Sequence, residues 1–379
     1  MRIAFVSDGV YPWNVGGIET IENTEAMGLA KNHEVHFFSL RWPGMRKDFI
    51  HKGIHYHAFH KTDKNKFYRH GRRSIRVAIA FSLSILRIFG YRFDVIEANL
   101  FPILHIPILK AYCKLTGCRL ILDVAEVWDK DYWITYLGPF AGNLAYVYAT
   151  LFLKSADFYI ANSLDTAERL FRNGINREIV EVFSPVIDDK RLKRTGGVKR
   201  SRQIIFSGRL IKEKRLDKFI EIVNRLKKRA VKVDAKIIGA GPEKTKIRRL
   251  IRNNGLADIV EIAPFYNEAE KNRLYKDIKS SSVFLQMSER EGLSIIVLES
   301  LALGTPVVLP SYSPIPSDVK EMCVVVSERL LPSKIMEILD SRNKSAFIRN
   351  SVMLGRFSTS NIESFYSRVF TELGISDGP

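Results

Sequence analysis

Two glutamates late in the sequence have a spacing that could serve a polar ligand. The segment from residue 288 to 308 reads SEREGLSIIVLESLALGTPVV, with Glu291 and Glu299 eight positions apart. In a helix that spacing amounts to about two turns, so both carboxylates would lie on one side, about 12 Å apart along the axis. Carboxylates on an apolar helix are costly to bury without partners. The pattern predicts either a polar ligand spanning them, or one exposed glutamate and one in an internal ion pair.

A pair of cations, Arg209 and Lys214, follows a predicted strand in the run SGRLIKEKRL. The guanidinium of arginine forms a fork for phosphate oxygens and lysine carries a mobile point charge, so the pair suits a diphosphate. The amides of Gly292 and Leu293, at the start of the helix that carries the glutamates, could also meet phosphate. A solvated basic turn is the alternative for Arg209 and Lys214.

Glycine turns precede two further predicted helices. Gly16 and Gly17 follow the first predicted strand, and the run Gly239-Ala240-Gly241-Pro242 follows a strand in the second half. A backbone without Cβ can approach a ligand closely, and the N–H groups that follow favour anions or sugar hydroxyls. A plain turn explains either motif equally well when it is taken alone. The first turn is not a G-x-G-x-x-G fingerprint, which argues against a nicotinamide-dependent dehydrogenase.

These residues must be positioned by strands and helices, and short apolar runs alternate with helical patterns along nearly the whole chain. Uninterrupted apolar strands separated by helices indicate parallel sheets covered on both faces. Helical periodicity is clear over Leu216–Leu226 and again over Ser360–Leu373. The predicted strands are Arg2–Val6, Glu34–Leu40, Val95–Ala98, Arg119–Val124, Phe158–Ala161, Gln203–Phe206, Ala235–Ile238, Val260–Ile262, Val283–Leu285 and Pro306–Leu309.

A polar stretch divides these strands into two series. Residues 189–200 lack hydrophobic periodicity and contain Gly196-Gly197, so they are predicted to be a linker. The sequence therefore predicts two doubly wound α/β domains, over 1–188 and 201–358, followed by a helix and tail over 359–379. Two such domains would make a cleft, with ligands outside the carboxyl ends of the strands.

The ordered set of motifs resembles the family 4 glycosyltransferases, which are retaining, sugar-nucleotide-dependent enzymes of the GT-B fold. The resemblance covers essentially the whole chain, and the run SPVID at 184–188 occupies the place of the family's "NGVD" interdomain segment. It implies two Rossmann-like domains, the first on the acceptor side and the second binding the donor, with the C-terminal helix crossing back to the N-terminal domain. The motifs that carry it are Gly208-Arg209, Lys214, the Gly239–Pro242 turn, and Glu291 and Glu299 followed by LALGTPVV.

The resemblance implies a role for each matching residue. Arg209 and Lys214 are expected to neutralise the donor diphosphate as it departs, Glu299 to hold the ribose hydroxyls and Glu291 to face the donor sugar. The family uses no bound metal and no cofactor apart from the donor substrate, here a UDP- or GDP-sugar. The remaining donor-binding matches are Gly16, Gly17, Gly208, Gly292 and Leu293.

The chain departs from the family pattern in two places. Many relatives carry a histidine after the fourth N-terminal strand, where this sequence reads LDVAEVWD. Glu126 is the counterpart for a catalytic role there, and a structural role for it is equally compatible. The Phe-Gly that usually follows the first glutamate and its glycine is replaced by Leu293-Ser294.

The chain is strongly basic, because its 379 residues carry 59 Lys and Arg against 41 Asp and Glu, a formal net charge of +18. An anionic partner is therefore expected. Residues 61–92 hold nine cations and one acid, Asp63, with Phe67 and Tyr68 among them. Basic residues beside exposed aromatics suit an anionic membrane surface, whereas a solvated loop before a core helix is the alternative.

These observations predict a retaining, metal-independent glycosyltransferase that moves a hexose from a nucleoside-diphosphate sugar to a glycan or lipid-linked acceptor. No signal-peptide core or bilayer-length apolar run is found, so we expect a cytoplasmic protein, peripheral on the inner membrane face. A soluble transferase resembling glycogen or sucrose synthases is the alternative within this class. A basic nucleic-acid-binding protein is the alternative from another class, but the sequence carries no RNP, zinc-finger or recognition-helix pattern, and no nucleic acid is expected.

Overall fold

The chain forms two compact units in the computed structural model, which describes residues 1–14, 16–69, 72–348 and 351–375. One unit comprises Met1–Pro185 with Thr359–Pro379, and the other comprises Val186–Ser358. Each unit is built on a largely parallel sheet interleaved with helices, which confirms the predicted fold class. Residues 376–379 of the predicted tail lie outside the described part of the chain.

The first unit has eight strands in one sheet, in the order β10-β9-β8-β7-β1-β2-β4-β3, and a separate hairpin of β5 and β6. Neighbouring strands of the sheet are parallel except for β3 and β4. Its strands are β1 Arg2–Val6, β2 Glu34–Arg41, β3 Asp48–His51, β4 Ile54–Lys61, β5 Tyr68–Arg69, β6 Arg72–Arg73, β7 Val95–Asn99, β8 Arg119–Val124, β9 Phe158–Ala161 and β10 Val180–Val182. Its helices up to residue 185 are α1 Gly17–Leu29, α2 Lys64–Phe67, α3 Ile75–Ser84, α4 Ile106–Thr116, α5 Lys130–Leu137, α6 Pro139–Leu153 and α7 Leu164–Arg172.

The second unit has a six-stranded parallel sheet in the order β13-β12-β11-β14-β15-β16. Numbered within the unit, this is the order 3-2-1-4-5-6 of doubly wound nucleotide-binding sheets. Its strands are β11 Gln203–Ser207, β12 Asp234–Ile238, β13 Val260–Ala263, β14 Val283–Leu285, β15 Val307–Pro310 and β16 Val324–Val326. Its helices are α8 Asp189–Arg194, α9 Leu216–Lys228, α10 Lys244–Asn253, α11 Lys271–Ser280, α12 Ile295–Ala302, α13 Ser317–Lys320 and α14 Leu331–Asp340.

The segment 189–200, which the sequence predicts to be a linker, begins with helix α8 and belongs to the second unit. The side chain of Asp188 caps this helix by accepting a hydrogen bond of 3.0 Å from the N–H of Arg191. A helix of six residues is too short to show a hydrophobic period, so its sequence resembles an irregular polar segment.

The last helix, α15 at Ile362–Glu372, packs in the first unit, as predicted for the C-terminal helix. The ring of Phe365 stacks on Phe183 with centroids 3.8 Å apart. Helix α1 approaches α15 at Gly28, where a Cβ would lie 2.6 Å from the side chain of Ile362. Because only glycine leaves that space, the contact between the two helices depends on this residue.

All ten predicted strands are present, each within one residue of its predicted ends. Strands β3, β4, β10 and β16, and the hairpin β5–β6, were not predicted from the sequence. Three of these, β3, β10 and β16, lie at sheet edges and have only three or four residues, which is too short for a clear hydrophobic pattern.

Four carboxyl groups are buried together between α1, the sheet and α15 in the first unit. They are Glu22 and Glu25 on α1, Glu97 on β7 and Asp123 on β8, and we call them the carboxyl cluster. The Tyr366 hydroxyl of α15 donates to Glu97 at 2.7 Å, and the Asn99 amide donates to Glu22 at 3.2 Å. Both oxygens of Glu25, and one oxygen each of Glu22 and Glu97, receive no hydrogen bond from the described residues.

Burial raises the pKa of all four carboxyls, and for three of them a neighbouring carboxylate raises it further. A raised pKa in the folded state means that the folded chain binds protons more tightly than the unfolded chain. The stabilising contribution of each group is therefore complete below its ordinary pKa and is lost as the pH rises through the raised value.

We predict that unfolding free energy falls as the pH rises from 5 to 9, and that Glu97→Gln makes this fall shallower. Glutamine still accepts the hydrogen bond from Tyr366 but cannot ionise, and each ionisable group contributes at most about 1.4 kcal/mol per pH unit. Denaturant unfolding across the pH range measures the effect. Glu363→Gln, an exposed position on α15, is the control. Equal pH slopes for wild type and Glu97→Gln would contradict the prediction.

Candidate functional site

The candidate donor site lies in the second unit, where the strand order reverses between β11 and β14. The chain after β11 runs to one side of this point and the chain after β14 to the other, so the carboxyl ends of these strands are accessible to a ligand. Gly208, Arg209 and Lys214 follow β11, and Glu291 follows β14. The topology thus brings together residues from both halves of the predicted donor motif.

The turns that follow β11 and β12 pack closely on one another. The N–H of Leu210 donates to the carbonyl of Ala240 at 2.9 Å, and the N–H of Glu243 donates to the carbonyl of Leu210 at 3.0 Å. A Cβ on Gly239 would lie 2.0 Å from the carbonyl oxygen of Gly208, and one on Gly241 would lie 2.3 Å from that of Leu210. These glycines are therefore explained by contact between two turns, which supports the loop that carries Arg209.

Lys214 and Glu291 form an ion pair that is largely shielded from solvent, with side chains 14% and 13% exposed. Lys214 ends a short 3₁₀ turn, Lys212–Lys214. The same oxygen of Glu291 accepts a hydrogen bond of 3.1 Å from the Gln286 amide, whose carbonyl oxygen accepts one of 3.2 Å from the Ser294 hydroxyl. The sequence predicts sites for both charged groups but not their pairing, nor the two polar residues that hold Glu291.

A second ionic contact joins the same two loops. The guanidinium of Arg215 contacts the carboxylates of Glu289 and Asp217, and the N–H of Glu289 donates to the carbonyl of Glu213 at 2.9 Å. Arg215 has a φ of 47°, a left-handed conformation that is unfavourable for residues with a Cβ. Its ionic contacts therefore help to hold the turn that ends in Lys214.

Glu299 is 3% exposed and lies on α12. Its Oε1 atom accepts a hydrogen bond of 2.6 Å from the Tyr275 hydroxyl and lies 2.9 Å from Nζ of Lys271. Its other oxygen, Oε2, has no hydrogen-bond or ionic partner among the described residues. Tyr275 and Lys271 lie on α11, far away in sequence, so the spacing of the glutamates gives no sign of them.

The prediction that Glu291 and Glu299 share one helix is wrong. Helix α12 begins at Ile295, so Glu291, Gly292 and Leu293 lie in the loop before it, and Ser294 occupies the position preceding the helix. The prediction that Gly292 and Leu293 lie at the N-terminus of this helix is therefore also wrong. An interval of eight residues corresponds to about two helical turns only when all of its residues are helical. Residues 291–294 are not helical, so the spacing does not place the two glutamates on one side of a helix.

Arg209 differs from Lys214 because its side chain is exposed and makes no hydrogen bond or ion pair with the described residues. It lies on the loop between β11 and the 3₁₀ turn. The two cations predicted to act together therefore have different surroundings. Lys214 is already paired with the carboxylate of Glu291, whereas the guanidinium of Arg209 is open to solvent and to an anionic ligand.

Gly16 and Gly17 lie in the first unit at the start of α1, in the loop that follows β1. A Cβ on Gly16 would lie 2.2 Å from a carboxylate oxygen of Glu19. Glu19 is buried and accepts a hydrogen bond of 2.6 Å from the Asn14 amide. The carboxylate of Glu19 folds back on the loop, so a larger residue at position 16 would displace the end of this side chain.

The same loop begins with Asp8, which is buried beside Arg73 at 3.1 Å. Burial raises the pKa of Asp8 to about 6, against the opposing effect of Arg73. Arg73 thus fixes part of the basic segment 61–92 against the end of β1. This contact was not predicted, because nothing in the local sequence links residues 8 and 73.

The membrane hypothesis for segment 61–92 is wrong about the exposure of Phe67. The hypothesis requires exposed aromatics, but Phe67 is 2% exposed. Its ring packs on Trp42 with centroids 5.0 Å apart, and the Arg73 guanidinium lies 5.3 Å from its centre. Phe67 is therefore a core residue, and residues 70 and 71 of the segment lie outside the described ranges.

Glu126 follows β8 in the first unit and accepts a hydrogen bond of 2.9 Å from the indole N–H of Trp128. Trp128 packs in turn against Phe101 and Tyr132, with ring centroids 4.5 Å away in each case. This environment gives Glu126 a structural role in orienting an aromatic cluster. Its catalytic role stays a prediction.

Within the described ranges, no group of three or more His, Cys, Asp or Glu side chains is arranged to hold a metal ion. Cys113 and Cys118 are free and buried. Among the described residues, Lys214, Glu291 and Glu299 of the candidate donor site each have an ionic partner, whereas Arg209 has none.

Two family models match successive parts of the chain. Residues 15–191 match the model described as Glycosyltransferase Family 4, and residues 188–347 match the model described as Glycosyl transferases group 1. Together the matches run from the loop before α1 to the region after α14, and they include every predicted site residue.

Two relatives show how far the likeness extends. WcaL of Escherichia coli (strain K12), a glycosyltransferase assigned to colanic acid biosynthesis, is 31% identical over 158 residues, which is 40% of this chain and 38% of WcaL. That match spans well under half of the relative. N-acetyl-alpha-D-glucosaminyl L-malate synthase of Bacillus anthracis is 23% identical over 394 residues, which covers 96% of this chain and 95% of the synthase.

Among solved structures, Anabaena HepE in complex with UDP and glucose superposes with a TM-score of 0.69 at 15% identity, covering 98% of this chain and 100% of HepE. Identity at that level establishes the fold alone, and the fold is GT-B. Fold and matches together define the molecule as a GT-B glycosyltransferase. The chain belongs to glycosyltransferase family 4.

We predict that Gly241→Ala destabilises the second unit by about 1 to 3 kcal/mol, because the new Cβ would overlap the backbone of Leu210. Denaturant unfolding measures the loss. Gly197→Ala is the matched control, since a Cβ there meets no atom within 4 Å. The prediction is wrong if the two variants unfold at the same denaturant concentration.

Proposed function

We propose that this glycosyltransferase transfers a hexose, with retention and without a metal ion, from a nucleoside-diphosphate sugar to a glycan or lipid-linked acceptor. The observation that carries the proposal is the arrangement at the carboxyl ends of β11 and β14. The loops that follow these strands carry the Lys214–Glu291 pair and Arg209, and the helix after β14 carries Glu299. Among the described residues, the guanidinium of Arg209 and Oε2 of Glu299 have no partner. The proposal places the donor in the second unit and the acceptor in the first.

The two cations would bind the donor diphosphate. The guanidinium of Arg209, which has no partner among the described residues, can donate hydrogen bonds to two phosphate oxygens at once, and Lys214 supplies a second positive charge from the same loop. Cations fixed beforehand on a leaving group stabilise the charge that develops on it as the glycosidic bond breaks. This arrangement supplies by side chains the charge that a divalent ion supplies elsewhere.

The two glutamates would bind the donor at different points. Glu299, held by Tyr275 and Lys271, keeps Oε2 available to accept hydrogen bonds from ribose hydroxyls. Glu291 would accept a hydrogen bond from a hydroxyl of the hexose, and its contacts with Lys214 and Gln286 orient its carboxylate for that role.

The reaction follows from these roles. The acceptor oxygen would bond to the anomeric carbon on the face from which the diphosphate leaves, so the configuration is retained. The electron pair of the broken bond stays on the phosphate oxygen, which takes the acceptor proton. No side-chain nucleophile takes part in this scheme, so none is assigned, and Glu126 would act through the position of Trp128.

Uridine is the proposed base of the donor, because the similar HepE structure contains UDP, and a GDP-sugar is the alternative.

A glycan acceptor fits the name of WcaL, which refers to colanic acid biosynthesis. A small soluble acceptor is the second candidate, since the Bacillus anthracis relative that matches 96% of this chain is named for transfer to L-malate. We place the protein on the cytoplasmic face of a membrane.

We predict that UDP raises the melting temperature more than GDP or ADP does, because a ligand that binds only the folded state stabilises it in proportion to its affinity. A thermal-shift series with the three nucleotides, with and without EDTA, is the measurement. Equal shifts with EDTA are expected for a metal-independent site. A shift with GDP alone would mean that the donor is a GDP-sugar instead of a UDP-sugar. No shift with any of the three nucleotides would count against the donor site.

We predict different kinetic effects for the charged residues of the site. Glu299→Gln should weaken UDP binding about tenfold, because an amide cannot provide the charged acceptor for the ribose. Arg209→Ala and Lys214→Ala should each lower kcat about 100-fold, because they remove charge that stabilises the leaving group. Calorimetry and initial rates measure the two effects.

Lys212→Ala is the matched control, since Lys212 lies in the same 3₁₀ turn as Lys214 and has no predicted role. Melting temperatures within a few degrees of wild type show that the variants are folded. The assigned donor site is wrong if Glu299→Gln, Arg209→Ala and Lys214→Ala all have the UDP affinity and the kcat of the wild type.

A further inference from the structure

Helix α6 in the first unit is unusual because it is apolar, uncharged and mostly on the surface. Its 15 residues read PFAGNLAYVYATLFL and include no Asp, Glu, Lys or Arg. Only Gly142 and Leu153 are buried. A helix with no charged face is normally enclosed by protein or lipid, since a surface helix places polar side chains toward water.

The exposed apolar residues of α6 form one face. Phe140, Leu144, Val147 and Leu151 follow a spacing of four, three and four, and each is between 63% and 87% exposed. Helix α3 presents a similar row, Ile75, Ile79 and Leu83, each between 45% and 59% exposed. We call these seven side chains the apolar surface. Isolated exposed leucines are ordinary, but a row of four on one helix, with a second row on another helix of the same unit, marks an interaction site.

The two rows are held by direct contacts. Helices α5 and α6 form a close hairpin, in which a Cβ on Gly142 would lie 2.5 Å from the carbonyl oxygen of Trp133. The hydroxyl of Tyr136, at the end of α5, accepts a hydrogen bond of 2.8 Å from the N–H of Arg73, just before α3. The apolar surface is therefore part of a fixed substructure, tied to the basic segment 61–92.

Cations accompany the apolar surface. Arg76 on α3 is exposed between the apolar positions, and Arg87 follows in the next turn and covers the Phe59 ring at 4.9 Å. Lys61, Lys64 and Lys66 precede α3 and are also exposed. Apolar side chains beside lysines and arginines are the combination that binds an anionic bilayer, since the first enter the acyl boundary and the second meet the headgroups.

We propose that the apolar surface docks the first unit onto an anionic lipid bilayer, with α6 lying in the plane of the membrane. A 15-residue helix is about 22 Å long, which is shorter than the bilayer core of about 30 Å. No helix in the described ranges is long and apolar enough to span a membrane. A second copy of the chain is a poorer partner, because pairing this face with itself would bring the basic segments of two +18 chains together.

This proposal goes further than the membrane hypothesis drawn from the sequence. That hypothesis relied on the basic segment and its aromatics, whereas docking through α6 relies on residues outside that segment, with the cations as the supporting charge. It rests on the proposed function in one respect: a lipid-linked acceptor would lie in the bilayer on which the first unit docks. Binding to lipid is measured without donor or acceptor, so the two proposals fail separately.

The test is flotation of the full chain with vesicles of phosphatidylcholine alone or with phosphatidylglycerol added. We expect binding to the anionic vesicles that weakens, without vanishing, when salt rises from about 0.1 M to about 1 M and the Debye length falls from about 10 Å to about 3 Å. The triple variant Phe140→Ser, Leu144→Gln, Leu151→Gln should bind about 100-fold more weakly, because it removes most of the apolar area of α6. All three side chains are exposed, so the fold should be kept.

Leu115→Gln is the matched control, because Leu115 is a leucine on helix α4 of the same unit and is 75% exposed. It should bind vesicles as wild type does, and UDP should shift the melting temperature of all variants equally. The proposal is overturned if wild type stays unbound, or if the triple variant binds like wild type. Concentration-dependent dimers that the triple variant abolishes, without vesicle binding, would make the partner a second copy instead.

A second measurement reports contact directly. The three native cysteines are buried, so a cysteine placed at Val147 can be labelled selectively with a polarity-sensitive dye. We expect its emission to shift to the blue on adding anionic vesicles, while the same dye at Leu115→Cys shows no shift. An unchanged emission at position 147 would overturn the proposal even if the chain binds vesicles by charge alone.

Discussion

The order of strands in the second sheet is the constraint on which the candidate site depends. β11 lies beside β14 although 75 residues separate the end of one from the start of the other, and the chain leaves the two strands toward opposite sides. Lys214 and Glu291 meet for this reason, although they are 77 positions apart in the sequence. Close contact between the turns after β11 and β12 then fixes the position of the loop that carries Arg209. The glycines at 239 and 241 are needed because a Cβ at either position would overlap the backbone of the first turn.

Charge is distributed differently in the two units. In the second unit, Lys214 is paired with Glu291, while the Arg209 guanidinium and Oε2 of Glu299 have no partner in the described part of the chain. In the first unit, the carboxyl cluster lies inside while lysines and arginines lie outside. Because burial raises the pKa of these carboxyls, they become negatively charged at a higher pH in the folded chain than in the unfolded chain.

The sequence predicts the central strands well because each is a continuous apolar run between helical patterns, a signal that depends only on neighbouring residues. Edge strands such as β10 lack that run and were missed. Glu299 was correctly placed on a helix, but Glu291 was not, because glycine at 292 leaves the helix start undetermined. Tyr275, Lys271 and Arg73 contact partners that are 24 or more positions away, and no periodicity encodes such contacts. Gln286 contacts Glu291 and Ser294 within the irregular segment after β14, which has no periodicity either. The burial of Phe67 follows likewise from Trp42, which is distant in sequence.

The position of α15 has a consequence for how the molecule is made. The first unit is discontinuous, and its core includes Phe365, Tyr366, Val369 and Phe370 from the last helix. A growing chain emerges N-terminal residues first, so residues 1–185 must wait for the final helix, while residues 186–358 can already complete their own core. The domain that is translated first is thus completed last, and until then the carboxyl cluster lacks the Tyr366 hydroxyl and remains open to water during synthesis.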